Sequence, residues 1–437
     1  MKKVSQLNFI FFCLLFLFST NYFFGQTLVP EGIYYNTTWT KSESPYLVME
    51  NTVVFEEVVL TIEQGVTVQF ATDAAMKLRG QLIALGAEDE KIRFTSNSDS
   101  PQKSDWEGIT VLGTNLPLGV GNQITMEHCI VEYAHTFVDL DLAYHGPYLF
   151  RNCRFANNHN TNFDTGMPLT LFEDCTFESN DLAVAGGQFE CQVINSSFLN
   201  NAEGVCGADL VENCYFSGHT QTALSPSGLT IGCIVENNNV GVRTSFDSVN
   251  HTFINNVVKD NVIGVEMLRF FNGSVDFTGN TICNNSSSNL NMLHSNNADL
   301  SDNCWCSSDS TAIRSMITDG YQDTSYGLVT FSPTSPDCGS SSPVPTVLDA
   351  SLGESEILDA NVEVKLFPVP FENSLKIVLE EDTEVAIILL DINGSVMLKQ
   401  KFSGSVNIET HKLTRGFYFY QIIGQEGLLK SGKVLKN

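Results

Sequence analysis

The sequence predicts an all-β chain, a solenoid of stacked coils followed by a small antiparallel β-sandwich. Three observations carry this. The middle of the chain repeats, with spacings of 18 to 24 residues between equivalent positions. The repeats hold short β-like runs and Asn/Gly turns, without the helical stretches and dense Leu of a leucine-rich repeat. Residues 362–437 alternate apolar and polar side chains in short runs parted by turn residues such as Asn393-Gly394.

Three columns define the repeat. One runs Cys129, Cys153, Cys175, Ser196, Cys214, Cys233, Asn256, Asn280, Cys304. Two residues on lies Val131, Phe155, Phe177, Phe198, Phe216, Val235, Val258, Ile282, Cys306. Such an i, i+2 pair points to one face of a strand. Three residues further stand Asn158, Asn180, Asn201, His219, Asn238, Asn261 and Asn285, where an Asn side chain suits a turn. The glycines of Gly204-Val205, Gly241-Val242 and Gly264-Val265 are expected to permit a bend. One coil cannot bury its apolar face alone, but coils stacked at about 4.8 Å bury a continuous column.

Charge divides the chain. Of 437 residues, 23 are basic and 50 acidic, for a net charge of -27. Residues 362–437 are neutral, with 9 charges of each sign, whereas residues 27–361 carry a net -29. This acidity excludes sequence-independent nucleic-acid binding and docking on anionic lipid. The expected boundaries are an export signal at 1–25, the solenoid at 27–335, a Pro/Ser/Gly linker at 336–361 and the sandwich at 362–437. The signal follows from Lys2 and Lys3 before a short apolar run at residues 9–18. That run is too short for a membrane span, which needs about 20 residues.

Removal of the signal leaves 11 Cys. A column that accepts Cys, Ser and Asn reads as a small buried slot, so its cysteines are expected to be mainly free thiols. Parallel Cβ vectors argue against bridges between neighbouring coils. Cys306 and Cys338, near the C-terminal end of the stack, are the expected bridged pair, and no zinc site is expected.

The solenoid resembles a right-handed parallel β-helix of the pectate-lyase-like class. The resemblance rests on Val59-Leu60-Thr61-Ile62-Glu63-Gln64-Gly65-Val66-Thr67-Val68-Gln69-Phe70, on Gly80-Gln81-Leu82-Ile83-Ala84-Leu85-Gly86 and on Asp105-Trp106-Glu107-Gly108-Ile109. It covers residues 28–335 and implies a terminal coil with a short capping helix near Ala312 to Met316. The family commonly has Gly where Cys306 stands.

Enzymes of that class use calcium with a basic proton abstractor, or several close carboxylates. Here the basic residues between 124 and 330 are single: Arg151, Arg154, Arg243, Lys259, Arg269 and Arg314. No lyase or polygalacturonase signature is present, and no catalytic residue is assigned. The polar cluster to weigh is His128, Glu132, His135, Asp139 and Asp141, with His145 nearby; strand alternation turns His128 and Glu132 outward. A solvated face is the plainer reading of it. Asp299, Asp302 and Asp319 could hold calcium, although no cofactor is expected.

In the C-terminal module, Leu366-Phe367-Pro368-Val369-Pro370, Asp391-Ile392-Asn393-Gly394 and Leu413-Thr414-Arg415-Gly416-Phe417-Tyr418 resemble the type A sorting domain of the Bacteroidetes type IX secretion system. Its motif residues here are Pro368, Pro370, Gly394, Gly416 and Tyr418; Val369 replaces the usual Asn. The resemblance implies export through that machinery to the medium or the outer face of the outer membrane. The expected function is non-catalytic adhesion or glycan binding by a monomer. The alternative is a polysaccharide lyase or glycoside hydrolase, and extracellular polysaccharide is the expected partner in both cases.

Overall fold

The computed structural model describes residues 25–112, 123–141, 147–162, 170–186, 191–244, 251–268, 275–336, 338, 364–367, 371, 373–379, 385–390, 396–414, 416–424 and 427–436. The chain forms two compact units, one holding a solenoid and one holding two antiparallel sheets.

The solenoid has about 11 turns. Among the described residues, its strands build three parallel sheets of 12, 13 and 11 strands, each turn giving one strand to each. The first sheet runs from Thr27–Leu28 to Thr281–Cys283, the second from Gly32–Ile33 to Ile317–Thr318, the third from Thr37–Trp39 to Val275–Asp276. From Gln123–Glu127 to Val257–Lys259, a tight corner of one or two residues joins the third sheet to the first in each turn. There a residue in the left-handed region (His128, Asn152, Asp174, Asn195, Asn213) precedes the cysteine column. A second left-handed series (Asn157, Ser179, Asn200, Asn237, Asp260, Asn284) turns the first sheet into the second. Asn and Asp tolerate this conformation better than other residues with a Cβ.

The cysteine and phenylalanine columns stack in register. Arg154 pairs with Thr176 and Phe155 with Phe177, and the same offset continues to Val258 and Ile282. Phe155, Phe177, Phe198 and Phe216 form one stack, with centroids 4.9, 4.7 and 4.7 Å apart. Phe150 and Phe172 stack on the third sheet at 4.9 Å. Cys129, Cys153, Cys175, Cys214 and Cys233 are buried free thiols, as are Cys191 and the half-buried Cys206. Burial pushes the thiols of Cys129 and Cys175 up, and that of Cys191 to about 12.

The Asn column has a different task from the one expected. The left-handed residue is its predecessor, and the Asn side chain points into the stack. Asn180, Asn201, Asn261 and Asn285 each accept the backbone N–H and the side-chain Nδ2–H of the Asn one turn before; Asn180 Oδ1 takes both from Asn158 at 2.9 and 3.1 Å. The ladder continues through Asn201, Asn238, Asn261 and Asn285. A second ladder runs Asn256, Asn280, Asn303. Asn303, not Cys304, therefore completes the column that the sequence assigned to Cys304. The glycines also serve close approach rather than a bend: a Cβ at Gly264 would lie 2.6 Å from Asn289 O and from Asn285 Nδ2.

His219 replaces one Asn in the ladder. Its Nδ1 donates to Asn238 Oδ1 at 2.8 Å, and Nε2 faces the Asn201 amide at 3.4 Å. Burial lowers its pKa from 6.5 to about 4, against the opposing pull of Asn238. The unfolded chain therefore binds a proton in the window between those values while the folded chain does not. The contribution of His219 is full above pH 6.5 and is lost as pH falls towards 4, by about 2.5 kcal/mol at pH 4.5. His219→Asn is expected to gain that amount on wild type between pH 7 and 4.5 in urea unfolding. An equal offset at both pH values would contradict this.

The last turn closes with the helix Ser310–Ser315, whose N-cap Asp309 accepts from Thr311 N. Two disulfides sit here, Cys283–Cys306 and Cys304–Cys338, with Cα atoms 5.8 and 5.0 Å apart. The expected Cys306–Cys338 pair is thus corrected. Thr281 pairs with Cys304, which puts Cys283 in register with Cys306 on the next turn. Cys304 is left for the segment carrying Cys338. The sulfurs of Cys304, Cys306 and Cys338 lie within 4.8 Å of one another but are spent on these bridges, so they offer no metal a thiolate.

In the C-terminal unit, Val364–Phe367, Ser374–Leu379 and Ser405–Glu409 form one antiparallel sheet. Val396–Phe402, Val385–Leu390, Gly416–Gly424 and Gly427–Lys436 form the other. Leu375, Ile377, Ile387, Leu389, Ile408 and Ile422 share one core between them. Ser405–Glu409 and Gly427–Lys436 are edge strands of the two sheets.

Candidate functional site

Of the polar cluster expected at residues 128–141, the side chains of His128, Glu132 and His135 are described, and each takes partners of its own. His128 sits in the left-handed corner beside Glu127, 3.9 Å from its carboxylate. Glu132 ends a strand of the first sheet and is buried, capped by Arg93 and by Thr95 Oγ1 at 3.0 Å. Asp139 and Asp141 belong to the second-sheet strand Ala134–Asp141, and their side chains lie outside the described residues, as does His145.

His135 instead joins residues that the sequence reading did not group. Its ring stacks on His159 of the next turn, with centroids 5.0 Å apart. His159 Nδ1 lies 2.6 Å from Asp181 Oδ2, one further turn on, and Lys103 Nζ lies 2.6 Å from Asp181 Oδ1. The hydrogen bonds from Lys103 and His159 outweigh partial burial and hold the Asp181 carboxyl below its usual range. Ser104 Oγ lies 3.1 Å from His135 Nδ1. Lys103 and Ser104 come from the segment between Ile92–Ser96 and Trp106–Leu112. Ser96 Oγ and Gln102 N both donate to Asp105 Oδ2 and fix its shape. The set does not form a nucleophile relay, because the carboxylate orients His159 while the hydroxyl touches His135.

Along the same corner, towards the start of the stack, lies an open depression of about 530 Å³ lined by Glu31, Met49, Glu50, Asn51, Thr72 and Asp73 among others. Tyr34 and Tyr35 are exposed on the first turn, at 63% and 83%, and Tyr34 stacks on Phe55. Of the acids considered for calcium, Asp319 is fully buried. Its carboxylate accepts from Arg314 at 2.5 Å and from the backbone N–H groups of Tyr321 and Val329. It is a structural anchor of the closing turn.

In the C-terminal unit, Gly416 opens the strand Gly416–Gly424, and Tyr418 is buried with its hydroxyl donating to Thr414 O at 2.9 Å. That bond folds the preceding turn back on the strand, as in the tyrosine corner of β-sandwiches. Pro368, Pro370 and Gly394 lie outside the described residues. Residues 365–437 match the family model described as the secretion system C-terminal sorting domain. The C-terminal module is a sorting domain. The sorting domain marks the chain for type IX secretion, so the protein is secreted or held at the cell surface, and the machinery of that route is its partner. No curated protein matches the chain. Among the described residues no helix is long and apolar enough to cross a membrane.

Proposed function

We propose that the solenoid, at residues 27–335, is a non-catalytic binding body that holds extracellular polysaccharide. A cleaved signal at 1–25 and a linker at 336–361 flank it, and it acts as a monomer. The observation that supports this reading is the state of the five basic side chains described between residues 124 and 330; Arg269 lies outside the described residues. Arg151, Arg154, Arg243, Lys259 and Arg314 each lie against a carboxylate: Glu173, Glu178, Glu266, Glu236 and Asp319, at 2.5 to 3.2 Å. An arginine or lysine held this way is a poor proton abstractor, because abstraction needs a free, deprotonated base in reach of the sugar. Exposed Tyr34 and Tyr35 offer flat apolar faces for a sugar ring.

The test is incubation of the protein with a panel of neutral and acidic polysaccharides, with and without calcium. Retention of a polymer without new reducing or unsaturated ends is the expected result. Release of either kind of end would overturn the reading in favour of a hydrolase or lyase.

A further inference from the structure

Four half-cystines gather at the closing turn, with the sulfurs of Cys304, Cys306 and Cys338 within 4.8 Å of one another and Cys283 bonded to Cys306. The two bridges differ in how their partners are held. Cys283 ends the strand Thr281–Cys283, where it pairs with Lys259 of the preceding turn. Cys304 is anchored on both sides: its N–H donates to Asn280 O at 2.7 Å, and its carbonyl accepts from Ile282 N at 2.8 Å. Cys283 and Cys304 are buried, whereas Cys306 and Cys338 are exposed. Towards Cys338, the last backbone bond to the stack among the described residues is Ser335 N to Asn303 O, at 2.9 Å. Cys338 itself pairs with no strand there and is fastened by its disulfide.

A thiolate arriving from solvent attacks an accessible sulfur of a bridge and expels the better leaving thiolate. Access admits it at Cys306 or at Cys338. Attack at Cys306 would expel Cys283, whose sulfur accepts no hydrogen bond among the described residues. Attack at Cys338 expels Cys304, whose Sγ accepts the Cys306 backbone N–H at 3.2 Å, a bond that favours negative charge on the sulfur. Register adds a second difference. Cys283 and Cys306 stand opposite each other on adjacent turns, so a bridge broken there re-closes before an external thiol accumulates. Cys338 has no such frame.

We propose that the Cys304–Cys338 bridge is a thiol-exchange site, at which a small aliphatic thiol adds to Cys338 and Cys304 is the leaving and resolving thiolate. The incoming thiolate, its proton already lost to solvent, bonds to Cys338 Sγ; the Cys304–Cys338 bond breaks, and its electron pair departs on Cys304. One disulfide replaces another, so nothing is oxidised or reduced overall. Return attack of Cys304 on Cys338 restores the bridge and expels the thiol. The exchange unfastens residue 338 while Cys283–Cys306 keeps the last turns joined. This inference does not depend on glycan binding.

The site is tested on the full chain carrying Cys206→Ser, which removes the half-buried free thiol. Cysteamine is the probe, and N-ethylmaleimide marks freed thiols before peptide mass spectrometry. The expected result is one cysteamine on Cys338, maleimide on Cys304 and an intact Cys283–Cys306 bridge, with Cys338 occupied at least ~10-fold more than Cys306. Once excess cysteamine is removed, the adduct should decay as the Cys304–Cys338 bridge returns, and maleimide added beforehand should hold it in place. A smaller preference for Cys338 would overturn the proposal, as would the absence of any adduct. So would loss of the adduct at an unchanged rate after Cys304 is blocked.

Discussion

Replacing Asn261 by Ala is expected to destabilise the solenoid by roughly 3–5 kcal/mol, among the largest effects of any single substitution. Asn261 Oδ1 accepts both the backbone N–H and the side chain of Asn238, at 3.0 and 2.9 Å. Its own Nδ2 donates to Val235 O, to Lys259 O and to Asn285 Oδ1. All this lies inside the stack, where water cannot replace what is removed, and a buried donor left without a partner costs about 1–3 kcal/mol. Serine at 261 keeps a short acceptor but cannot span the gap, so it should recover less than half of the loss. Urea unfolding followed by far-ultraviolet circular dichroism measures both. A loss below about 1 kcal/mol for Asn261→Ala would mean that the ladder is incidental to stability.

A comparable loss, about 3–5 kcal/mol, is expected for Phe198→Ala. Phe198 is fully buried between Phe177 and Phe216, with rings parallel to within 1° and 8°. Truncation removes the transfer energy of the ring and opens a gap that the flanking turns cannot close. Their separation is fixed by the strand hydrogen bonds on either side. Phe198→Leu keeps most of the volume and is expected to cost no more than about 1.5 kcal/mol. Equal losses for Ala and Leu would show that the stack collapses around the site.

Both positions were visible in the sequence as columns, but what each column does was only half legible. Apolar alternation and the Cys-to-Phe offset place side chains on one strand face, which is enough to predict the Phe stack. The Asn column was read as a turn signal because local chemistry favours that. Its bonding to the next turn joins residues more than 20 positions apart and needs the stack itself.

The candidate site was less legible. His135, His159 and Asp181 form a fourth column, one residue after the Asn positions 158 and 180 and after Ala134, whose N–H donates to Asn158 Oδ1. The alignment contained that column, yet a column of two His and one Asp does not announce itself as a repeat position. Lys103 lies 78 residues from Asp181 in sequence and reaches it across three turns. His128 and Glu132 were grouped with His135 by nearness along the chain. His128 sits in one corner of the turn and Glu132 ends the strand after it, and the next corner, at Tyr133, puts His135 on a different sheet. The disulfides failed for a related reason. Cys306 takes a left-handed conformation where the stack ends, and repeat logic does not extend past that point.

The central claim is that this exported solenoid holds its polymer without cutting it. The most direct measurement is the chain length of a retained polysaccharide, followed by light scattering during prolonged incubation with the protein, with calcium present. The expected result is a bound polymer of unchanged length at every time point. A progressive fall in length, absent from a protein-free control, would contradict the account and make the protein an enzyme.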